Sequence, residues 1–467
     1  MIKTIILAAG EGTRMKSNKS KVLHKLLNKE ILSYIVDASN LEDSQTIVIG
    51  GKNKAYIEEN YKNVIVKEQK IGPNYPYGTG YAVSLALDLI NDDDIVLVLN
   101  GDIPLIKKES IERFLTYHKK ENNACTVLTT FLKDPKGYGR IVRDKNGFFY
   151  KIVEDKDASK EEINIKEINI GIYAFNGLDL KESIGLINDS NNSQHELYIT
   201  DCIQILKNKD KKVNAYISED YTEFYGINNK YELQRAEKIL RRRVNKAYME
   251  EGVIMETPEI ITIEPGVKIG KDTIISGYVK ILGKTEIGEN CIIEGSTRIE
   301  DSKISDNVKI DNSIIEKSKV GKNTDIGPFS HLRPKADLDE NVHIGNFVEV
   351  KNSFVGKKTK AGHLAYIGDS DLGEAINVGC GVIFVNYDGK FKHRSVVEDG
   401  AFIGSNSNIV APVRIYKEGY IAAGSTITKD VDTGALSIER AEQKNILGYV
   451  EKKKKKDLEI QRSKDDK

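Results

Sequence analysis

The sequence has no excess charge of either sign and no long apolar run. Among its 467 residues, lysine and arginine together number 70, as do aspartate and glutamate. This balance disfavours a nucleic-acid-binding protein, which usually carries a basic excess. No apolar run approaches the roughly 18 residues that a membrane-spanning helix needs. We therefore expect neither nucleic acid nor membrane insertion among the partners of this chain.

Cysteine is also scarce. Cys125, Cys202, Cys291 and Cys380 lie far apart and form no paired spacing. This pattern fits a reduced, cytoplasmic chain better than a disulfide framework or a zinc site. The apolar stretch in MIKTIILAAGEG is too short for the core of a signal peptide, but it fits a buried parallel strand. We therefore expect a cytoplasmic protein.

Two sequence patterns meet near residue 250, as the length of the chain allows. In residues 1–228, apolar runs such as TIILAAG and DIVLVLNGD alternate with stretches of helical pattern, for example at 80–91 and 108–121. This alternation predicts an α/β domain with a mostly parallel, Rossmann-like sheet and ligands at the carboxyl ends of its strands. Residues 229–250 are charged and free of glycine and proline, which predicts a connecting helix.

The second pattern is a six-residue repeat of aliphatic residues that runs from Ile263 to about Asp432. A short fixed period over this length predicts a left-handed parallel β-helix, which we place at 251–437. The polar stretch NYDGKFKHR, at 386–394, should loop outward and carry function. The remaining 438–467 form an arm and a lysine-rich tail that we interpret as solvated; acids flank the lysines, which makes an anionic-surface patch the weaker alternative.

A glycine-rich turn, LAAGEGTRM, follows the first apolar run. Such a turn offers backbone N–H groups to phosphates, and Arg14 and Lys21 add positive charge nearby. No GK[ST] follows, so this is not a Walker motif. The NGD triplet ends another apolar run, and its Asp102 is either a Mg²⁺ ligand or a turn residue. These features alone leave a nucleotide site open.

Further motifs make the first domain recognisable: KVL at 21–23, GTG at 78–80, GYGRI at 137–141, VEDKDA at 153–158, NIGIY at 169–173 and GINN at 226–229. With LAAGEGTRM and NGD, they resemble the sugar-1-phosphate nucleotidylyltransferases, in particular the uridylyltransferases that act on N-acetylglucosamine-1-phosphate. In that family the sugar phosphate attacks the α-phosphorus of UTP and pyrophosphate leaves, while the protein positions the reactants and neutralises charge.

The resemblance implies roles for the matching residues. Arg14 and Lys21 would act in catalysis by holding triphosphate charge, and Asp102 and Asn228 would ligate Mg²⁺. The residues implied in binding the nucleotide and the N-acetyl sugar are Leu7, Ala8, Ala9, Gly10, Lys21, Gln69, Gly78, Thr79, Asn100, Gly101, Asp102, Gly139, Glu154, Asn169 and Asn228. Two departures from the family stand out. Ser20 replaces a proline, which predicts a less rigid loop, and the segment from Gln69 to Gly78 is longer than usual.

The solenoid carries its own motifs: LRP at 332–334, GNFVEVKNS at 345–353, KAGHLAYIGD at 360–369 and GCGVIFVNYDG at 379–389. They resemble the acetyltransferase half of the bacterial bifunctional enzymes that join this uridylyltransferase to a glucosamine-1-phosphate N-acetyltransferase. Acetyl transfer to an amine needs a base, and a histidine suits that role near neutral pH. His363, in KAGHLAY, is the candidate; the alternative is a surface histidine.

This second resemblance also implies binding residues. Those for glucosamine-1-phosphate are Arg333, Glu349, Lys351, Tyr366, Asn377 and Lys392. Those for acetyl-CoA are Cys380, Asn386, Tyr387, Ser405, Ala423 and Arg440. Cys380 replaces the alanine usual in the family and could still offer a main-chain contact. We do not predict it as a nucleophile, because direct transfer needs none and no neighbouring residue clearly activates it.

The expected protein is therefore a bifunctional enzyme. It would acetylate glucosamine-1-phosphate and then uridylylate the product to UDP-N-acetylglucosamine, a precursor of bacterial envelope polymers. Its small-molecule partners would be glucosamine-1-phosphate, acetyl-CoA and UTP with Mg²⁺, and the solenoid would form a homotrimer. Three alternatives remain: a nucleotidylyltransferase for another sugar with a purely assembling solenoid, a metal-dependent hydratase using His331, His343 and His363, and a structural scaffold.

Overall fold

The computed structural model describes residues 1–72, 75–188 and 196–465. The chain divides into two compact units, Met1–Ala247 with Thr262–Pro265, and Tyr248–Ile261 with Gly266–Lys467. Within the long Gln69–Gly78 segment, Pro73 and Asn74 lie outside the described residues. In the described part of the chain, no helix has the length and apolarity required to cross a membrane.

The first unit is built on a mostly parallel sheet, as the alternating pattern predicts. Among the described strands of the main sheet, only Glu167–Asn176 runs antiparallel to both of its neighbours. The order of strands across the sheet is Val213–Ile217, Cys125–Phe131, Glu167–Asn176, Ile95–Asn100, Ile2–Ala8, Ser44–Gly50 and Ile65–Glu68. The strands Arg140–Arg143 and Phe149–Val153 form a side ribbon, and Lys25–Leu26 pairs with Lys29–Glu30.

Both faces of this sheet are buried, which explains why its strands read as continuous apolar runs. Ile5 packs into the core on one face, whereas the next residue, Ile6, packs into the core on the other. The α-helices of the unit are Ile31–Ala38, Lys54–Asn60, Thr79–Ser84, Lys108–Glu121, Gly177–Ile184, Ile199–Asn208 and Lys230–Glu250. Single 3₁₀ turns occur at Thr13–Met15, Lys21–Leu23, Leu87–Leu89, Glu162–Asn164 and Tyr221–Phe224. The long final helix, Lys230–Glu250, is the one predicted to connect the two patterns.

The second unit is a parallel β-helix in which most strands pair with the strand three positions later in the chain. One coil therefore has three sides and about 18 residues; Ile274, for example, pairs with Ile292. Around the long strands His343–Lys351 and Lys360–Gly368, the partner is the strand two positions later. The strands of the repeat region are Ile254–Met255, Thr262–Ile263, Lys268–Ile269, Ile274–Ile275, Lys280–Leu282, Glu286–Ile287, Ile292–Glu294, Arg298–Glu300, Lys303–Ile304, Lys309–Asp311, Ile314–Glu316, Lys319–Val320, Asp325–Ile326, His331–Leu332, Asp337–Leu338, His343–Lys351, Phe354–Val355, Lys360–Gly368, Ser370–Leu372, Asn377–Val378, Ile383–Val385, Ser395–Val397, Phe402–Ile403, Asn408–Val410, Arg414–Ile415, Tyr420–Ile421, Thr426–Ile427 and Leu436–Ser437.

The aliphatic repeat forms the interior of this solenoid. Ile269, near the first coil, is half-buried. The later repeat positions are buried, among them Ile275, Ile281, Ile287, Ile293, Ile326, Leu332, Leu338, Ile344, Val350, Ile367, Val378, Ile409, Ile415, Ile421 and Ile427. The six-residue period slips between Ile299 and Val320. The interior residues Ile299, Ile304, Ile310, Ile315 and Val320 follow at intervals of five, six, five and five, so three sides of the solenoid are one residue shorter here. After the last strand, the lysine-rich tail forms the helix Tyr449–Asp465, and its described side chains are exposed.

Candidate active sites

The first candidate site lies where two central strands end side by side. Leu7 pairs with Asn100 in the parallel register, and the N–H of Gly101 donates to the carbonyl of Leu7 at 2.9 Å. A Cβ on Gly101 would lie only 2.6 Å from that carbonyl oxygen, so glycine permits this close approach. The chain then continues to Asp102, whose carboxylate is thereby placed at the carboxyl edge of the sheet.

Four predicted residues converge at this edge from separate segments. The ammonium of Lys21 lies 2.6 Å from Oδ2 of Asp102 and 3.4 Å from Oδ1 of Asn228. The guanidinium of Arg14 donates to the same Asn228 oxygen at 2.9 Å. Two cations thus surround one carboxylate and one amide oxygen, an arrangement suited to the charge of phosphates.

The same pair of oxygen-bearing side chains fits Mg²⁺ by its chemistry. Mg²⁺ prefers oxygen ligands and is commonly held by one or two protein groups together with phosphate oxygens and water. Asp102 and Asn228 supply such oxygens next to the predicted phosphate site. Across the described ranges, there is no group of three or more His, Cys, Asp or Glu side chains that could hold a metal by itself. The residues present therefore suit a metal that shares its ligands with a nucleotide.

A cavity of about 220 Å³ adjoins this edge and contains the residues predicted to hold the nucleotide base. Its walls include Leu7, Ala9, Gly10, Gln69, Gly78, Thr79 and Asn100. Gln69 is buried, and its backbone N–H donates to the carbonyl of Gly50 at 2.8 Å. Tyr77 and Glu196 also line the cavity and were not predicted. Ala8, in contrast, is buried in the hydrophobic core beneath.

A neighbouring cavity of about 410 Å³ holds the predicted sugar residues. Gly139 accepts a hydrogen bond at its carbonyl from the N–H of Asn169 at 2.8 Å, and Glu154 lies beside both. Partial burial of the Glu154 carboxyl in this cleft raises its pKa, and the carboxylates of Asp157 and Asp155 raise it further. Asn100 lines both cavities, so the predicted base and sugar sites adjoin each other.

Arg140 supports the cavity with the predicted sugar residues, and sequence reasoning did not find it. It is 1% exposed, although arginine is seldom buried without a partner. Its guanidinium donates to Asp155 at 2.8 Å and to the carbonyl of Tyr138. It therefore ties the GYG turn that contains Gly139 to the loop that contains Glu154. The sequence signal for Arg140 was its place within the GYGRI motif, a short distance before the acidic VEDKDA motif.

The second candidate site is a row of side chains on successive coils. Asn346 pairs with His363 in the strand register. The pairings of Lys360 with Asn377, of Asn377 with Phe402 and of Phe402 with Tyr420 continue that register. His363, Cys380, Ser405 and Ala423 each follow three residues after Lys360, Asn377, Phe402 and Tyr420, respectively. The predicted base and three predicted acetyl-CoA residues thus form one line along the solenoid.

His363 stands at one end of this row, exposed to solvent, and its ring is oriented by Asn346. Nδ1 of His363 lies 2.8 Å from the amide oxygen of Asn346. Because this oxygen accepts a hydrogen bond, the proton is on Nδ1 and Nε2 is the free basic nitrogen. Asn346 was not singled out from sequence. The signal was its spacing of 17 residues from His363, which equals the spacing from His363 to Cys380.

A cationic cluster stands on the neighbouring side of the same coils. Arg333 donates to Glu349 at 2.7 Å, and Glu349 pairs with Tyr366 in the register. The ammonium of Lys392 lowers the pKa of Lys351, and burial and Arg333 lower it further. Clustered cations of this kind can hold an anionic group.

Asn386, one of the residues predicted to bind acetyl-CoA, is largely buried beside Tyr366. It is 8% exposed, and its amide donates to Asp369 at 2.5 Å and to the Tyr366 hydroxyl at 3.3 Å. Asp369, which sequence reasoning missed, also accepts from Asn352. Asn386 and Asp369 therefore support Tyr366. Asn377 and Tyr387 are exposed, and the Tyr387 hydroxyl donates to the carbonyl of Gly389 at 2.6 Å.

At the far end of the row, Arg440 donates to the carbonyl of Ala423 at 2.9 Å. The histidines of the hydratase alternative do not converge: His331 contacts Glu316 at 3.2 Å, whereas His343 contacts Asp325. The one-to-one pairing of these histidines with acids gives no support to a shared metal site.

Comparison with known proteins gives matches for both units. The family model described as Nucleotidyl transferase matches residues 3–241, and Bacterial transferase hexapeptide (six repeats) matches residues 266–301. Bifunctional protein GlmU of Clostridioides difficile is 50% identical over 97% of this chain and 98% of its own length. The proteins of the same description from Alkaliphilus oremlandii and Enterococcus faecalis are 48% and 46% identical, over 97% and 96% of this chain and 98% and 97% of their own lengths. These relatives span both units.

Proposed function

The chain belongs to the family of the bifunctional GlmU proteins, and from this membership we propose how its residues divide the two reactions. The enzyme acetylates glucosamine-1-phosphate with acetyl-CoA and transfers UMP from UTP to the N-acetylated sugar phosphate, with release of pyrophosphate. The order follows from the chemistry, because the product of acetyl transfer is the substrate of uridylyl transfer. One observation carries the assignment of residues. The residues predicted for uridylyl transfer lie together in the first unit, and those predicted for acetyl transfer lie together in the second.

Uridylyl transfer is assigned to the cluster of Arg14, Lys21, Asp102 and Asn228. The two cations hold the triphosphate and offset the negative charge that develops as the sugar phosphate attacks the α-phosphorus. Asp102 and Asn228 would hold Mg²⁺, which supplies further neutralisation of the phosphates. The neighbouring cleft with Gly139, Glu154 and Asn169 orients the N-acetyl sugar, and the cavity with Gln69 holds the uracil base.

Acetyl transfer is assigned to the row that begins at His363. Nε2 of His363 takes the proton from the sugar nitrogen as that nitrogen attacks the thioester carbonyl. The C–N bond forms, the C–S bond breaks, and the proton passes to the leaving sulfur to give free CoA. Arg333, Lys351 and Lys392 hold the sugar phosphate, while Tyr366, Glu349 and Asn377 position the sugar.

Acetyl-CoA is assigned to the line through Cys380, Ser405 and Ala423, with Tyr387, Asn386 and Arg440 beside it. Adjacent coils lie about 4.8 Å apart, so Ala423 is about 14 Å from His363 along the solenoid. This length suits an extended pantetheine arm whose thioester ends near the base.

The organisation of the chain is part of the same proposal. We assign 1–228 to uridylyl transfer, 229–250 to the connecting helix, 251–437 to acetyl transfer and 438–467 to a carboxyl-terminal arm. A homotrimer through the solenoid fits the exposed, stacked rings of Phe329 and Phe347 at one corner of the coils. Placement in the cytoplasm fits the substrates and the absence of paired cysteines.

A coupled assay tests the proposal. Purified protein is given glucosamine-1-phosphate, acetyl-CoA, UTP and Mg²⁺, and free thiol and pyrophosphate are followed separately. The expected result is thiol release followed by pyrophosphate that depends on acetyl-CoA. Pyrophosphate without thiol would reduce the solenoid to a scaffold and reopen the identity of the sugar.

A further inference from the structure

Asn53 is a buried polar side chain that joins three segments around the nucleotide cavity. It lies between the strand Ser44–Gly50 and the helix Lys54–Asn60 and is 9% exposed. Its Oδ1 accepts from the N–H of Gly51 at 2.9 Å, and its Nδ2 donates to the carbonyl of Ala8 at 3.2 Å and to Oγ of Ser20 at 3.1 Å. Both N–H groups of the amide and its oxygen therefore have hydrogen-bond partners, as burial requires.

The bond to Ser20 acts directly before Lys21. Ser20 precedes the 3₁₀ turn Lys21–Leu23, and its carbonyl accepts from the N–H of Leu23 at 3.1 Å. On its other side, Lys21 packs against Gly12, whose φ is 61° and where a Cβ would lie 2.9 Å from the Cβ of Lys21. Gly12 and Ser20 thus fix the backbone of Lys21 from two directions.

We propose that Asn53 is a positioning residue for uridylyl transfer and that it acts on Lys21 through Ser20. One amide couples the turn carrying Lys21 to Ala8, at the end of the strand whose next residues line the base cavity. The amide thereby fixes the position of Lys21, the proposed triphosphate-binding cation, relative to the base cavity. This inference rests on the proposed role of Lys21 in holding triphosphate charge.

Ser20→Ala is the least disruptive test, since it removes a single hydroxyl. The kcat of uridylyl transfer should fall about two- to tenfold, the range that one net hydrogen bond spans. The KM for N-acetylglucosamine-1-phosphate should stay the same, because the sugar cleft is formed by other segments. Acetyl transfer by the same protein is the internal control and should be unchanged. Asn60→Ala, on the exposed end of the same helix, is the matched control and should leave both activities intact.

A rescue experiment separates positioning from general stability. Ser20 has φ of −54°, which the ring of proline, fixed near about −65°, can adopt. Asn53→Ala should lower kcat at least as much as Ser20→Ala. In the Asn53→Ala background, Ser20→Pro should recover most of the lost kcat, because the ring restrains the loop without the amide. Ser20→Ala in that background should cost nothing more, since the two residues act through one bond.

Three results would overturn the proposal: full uridylyl activity of Ser20→Ala, additive losses in the double variant, or equal loss of both activities. Lys21→Ala is assayed beside them. If that variant kept its uridylyl activity, the proposed role of Lys21 would be wrong. If Lys21→Ala were inactive while Ser20→Ala remained fully active, only the positioning role of Asn53 would be lost.

Discussion

Lys21 and Asp102 form an ion pair at 2.6 Å although 81 positions separate them in the chain. Both side chains are mostly buried, at 14% and 21% exposed. The lysine thus neutralises the carboxylate in the protein without substrates. In the proposed reaction, UTP would offer phosphate oxygens to the ammonium, and the carboxylate would then be free to hold Mg²⁺. We therefore expect nucleotide binding to disrupt this ion pair.

The two activities should be separable by single substitutions. Asp102→Asn keeps the size of the side chain but removes its charge, and we expect uridylyl transfer to fall about a hundredfold or more. His363→Ala removes the proposed base, and acetyl transfer should fall by about 10²–10⁴. Pyrophosphate and thiol release, measured with each reaction's own sugar substrate, report the two activities independently.

Each of these variants controls the other. Asp102→Asn should acetylate at the unaltered rate, and His363→Ala should uridylylate at the unaltered rate. Loss of both activities from either substitution would contradict the model of two independent sites.

Asn346 should set the pH dependence of acetyl transfer through His363. Asn346→Ala removes the acceptor at Nδ1, so kcat should fall about tenfold as the ring loses its orientation. Asn346→Asp places a carboxylate there, which stabilises the imidazolium. The acid limb of the pH–rate profile should therefore move to higher pH, because a larger share of the base is protonated at a given pH. Rates between pH 5.5 and 8.5 measure this shift.

An unchanged acid limb in Asn346→Asp would argue against His363 as the base. Asn352→Ala is a useful comparison, because Asn352 contacts Asp369 rather than His363. The acid limb of the pH–rate profile of Asn352→Ala should have the same midpoint pH as that of the wild-type enzyme, even if the rate itself changes.

Cys380 offers a chemical probe of the acetyl-CoA row. It is exposed, whereas the other three cysteines are buried, and burial raises the pKa of Cys202 to about 12 and also raises that of Cys125 and Cys291. Iodoacetamide should therefore label Cys380 first and block acetyl transfer by filling the row. Acetyl-CoA should protect the thiol, and uridylyl transfer should continue.

The control for this labelling is Cys380→Ala. Its backbone contacts remain, so acetyl transfer should stay within about twofold of the parent enzyme and become insensitive to iodoacetamide. Labelling of Cys380 without inhibition would place acetyl-CoA elsewhere.

Sequence reasoning predicted those features that repeat or lie close together in the chain. The six-residue period identified the interior isoleucines, because each coil buries one aliphatic residue per side. The strand-end motifs identified Asp102, because parallel strands align their carboxyl ends. It also placed His363 in a motif, and the structure puts His363 in register with Cys380.

Partners from distant segments were missed. Asn53 and Ser20 are 33 positions apart, and neither the pattern around the serine nor that around the asparagine indicates the other. Asp369 reads as an acid in a turn, yet its burial between Asn352 and Asn386 gives it a supporting role. Such polar contacts depend on the packing of loops, which local propensity does not encode.

The stacked aromatic corner should control assembly. Phe329 and Phe347 lie 5.6 Å apart with nearly parallel rings, each 57% exposed and each at positive φ. Exposed apolar rings on an unusual backbone indicate a contact surface. Phe329→Asp with Phe347→Asp should therefore convert the proposed trimer to smaller species in sedimentation velocity and lower acetyl transfer. Tyr278→Ala, at another exposed ring, should leave the trimer intact; a trimer that survives the double substitution would exclude this corner.

Glu154 should make sugar binding depend on pH. Its carboxyl has a pKa raised by partial burial and by Asp157, Asp155 and Asp201, so protonation begins at higher pH than for an ordinary glutamate. The ionised form offers more acceptor capacity to sugar N–H and O–H groups than the protonated form. The KM for N-acetylglucosamine-1-phosphate should thus rise as pH falls from 7.5 to 5.5.

The control for this prediction is Glu154→Gln. The phosphate of the substrate also titrates, near pH ~6, and this affects both enzymes alike. Dividing the KM of the parent enzyme by the KM of Glu154→Gln at each pH therefore isolates the contribution of Glu154. The substituted enzyme should have the higher KM at pH 7.5, and the difference should shrink on acidification, because protonated glutamate and glutamine offer similar hydrogen bonds. A ratio independent of pH would show that ionised Glu154 does not bind the sugar.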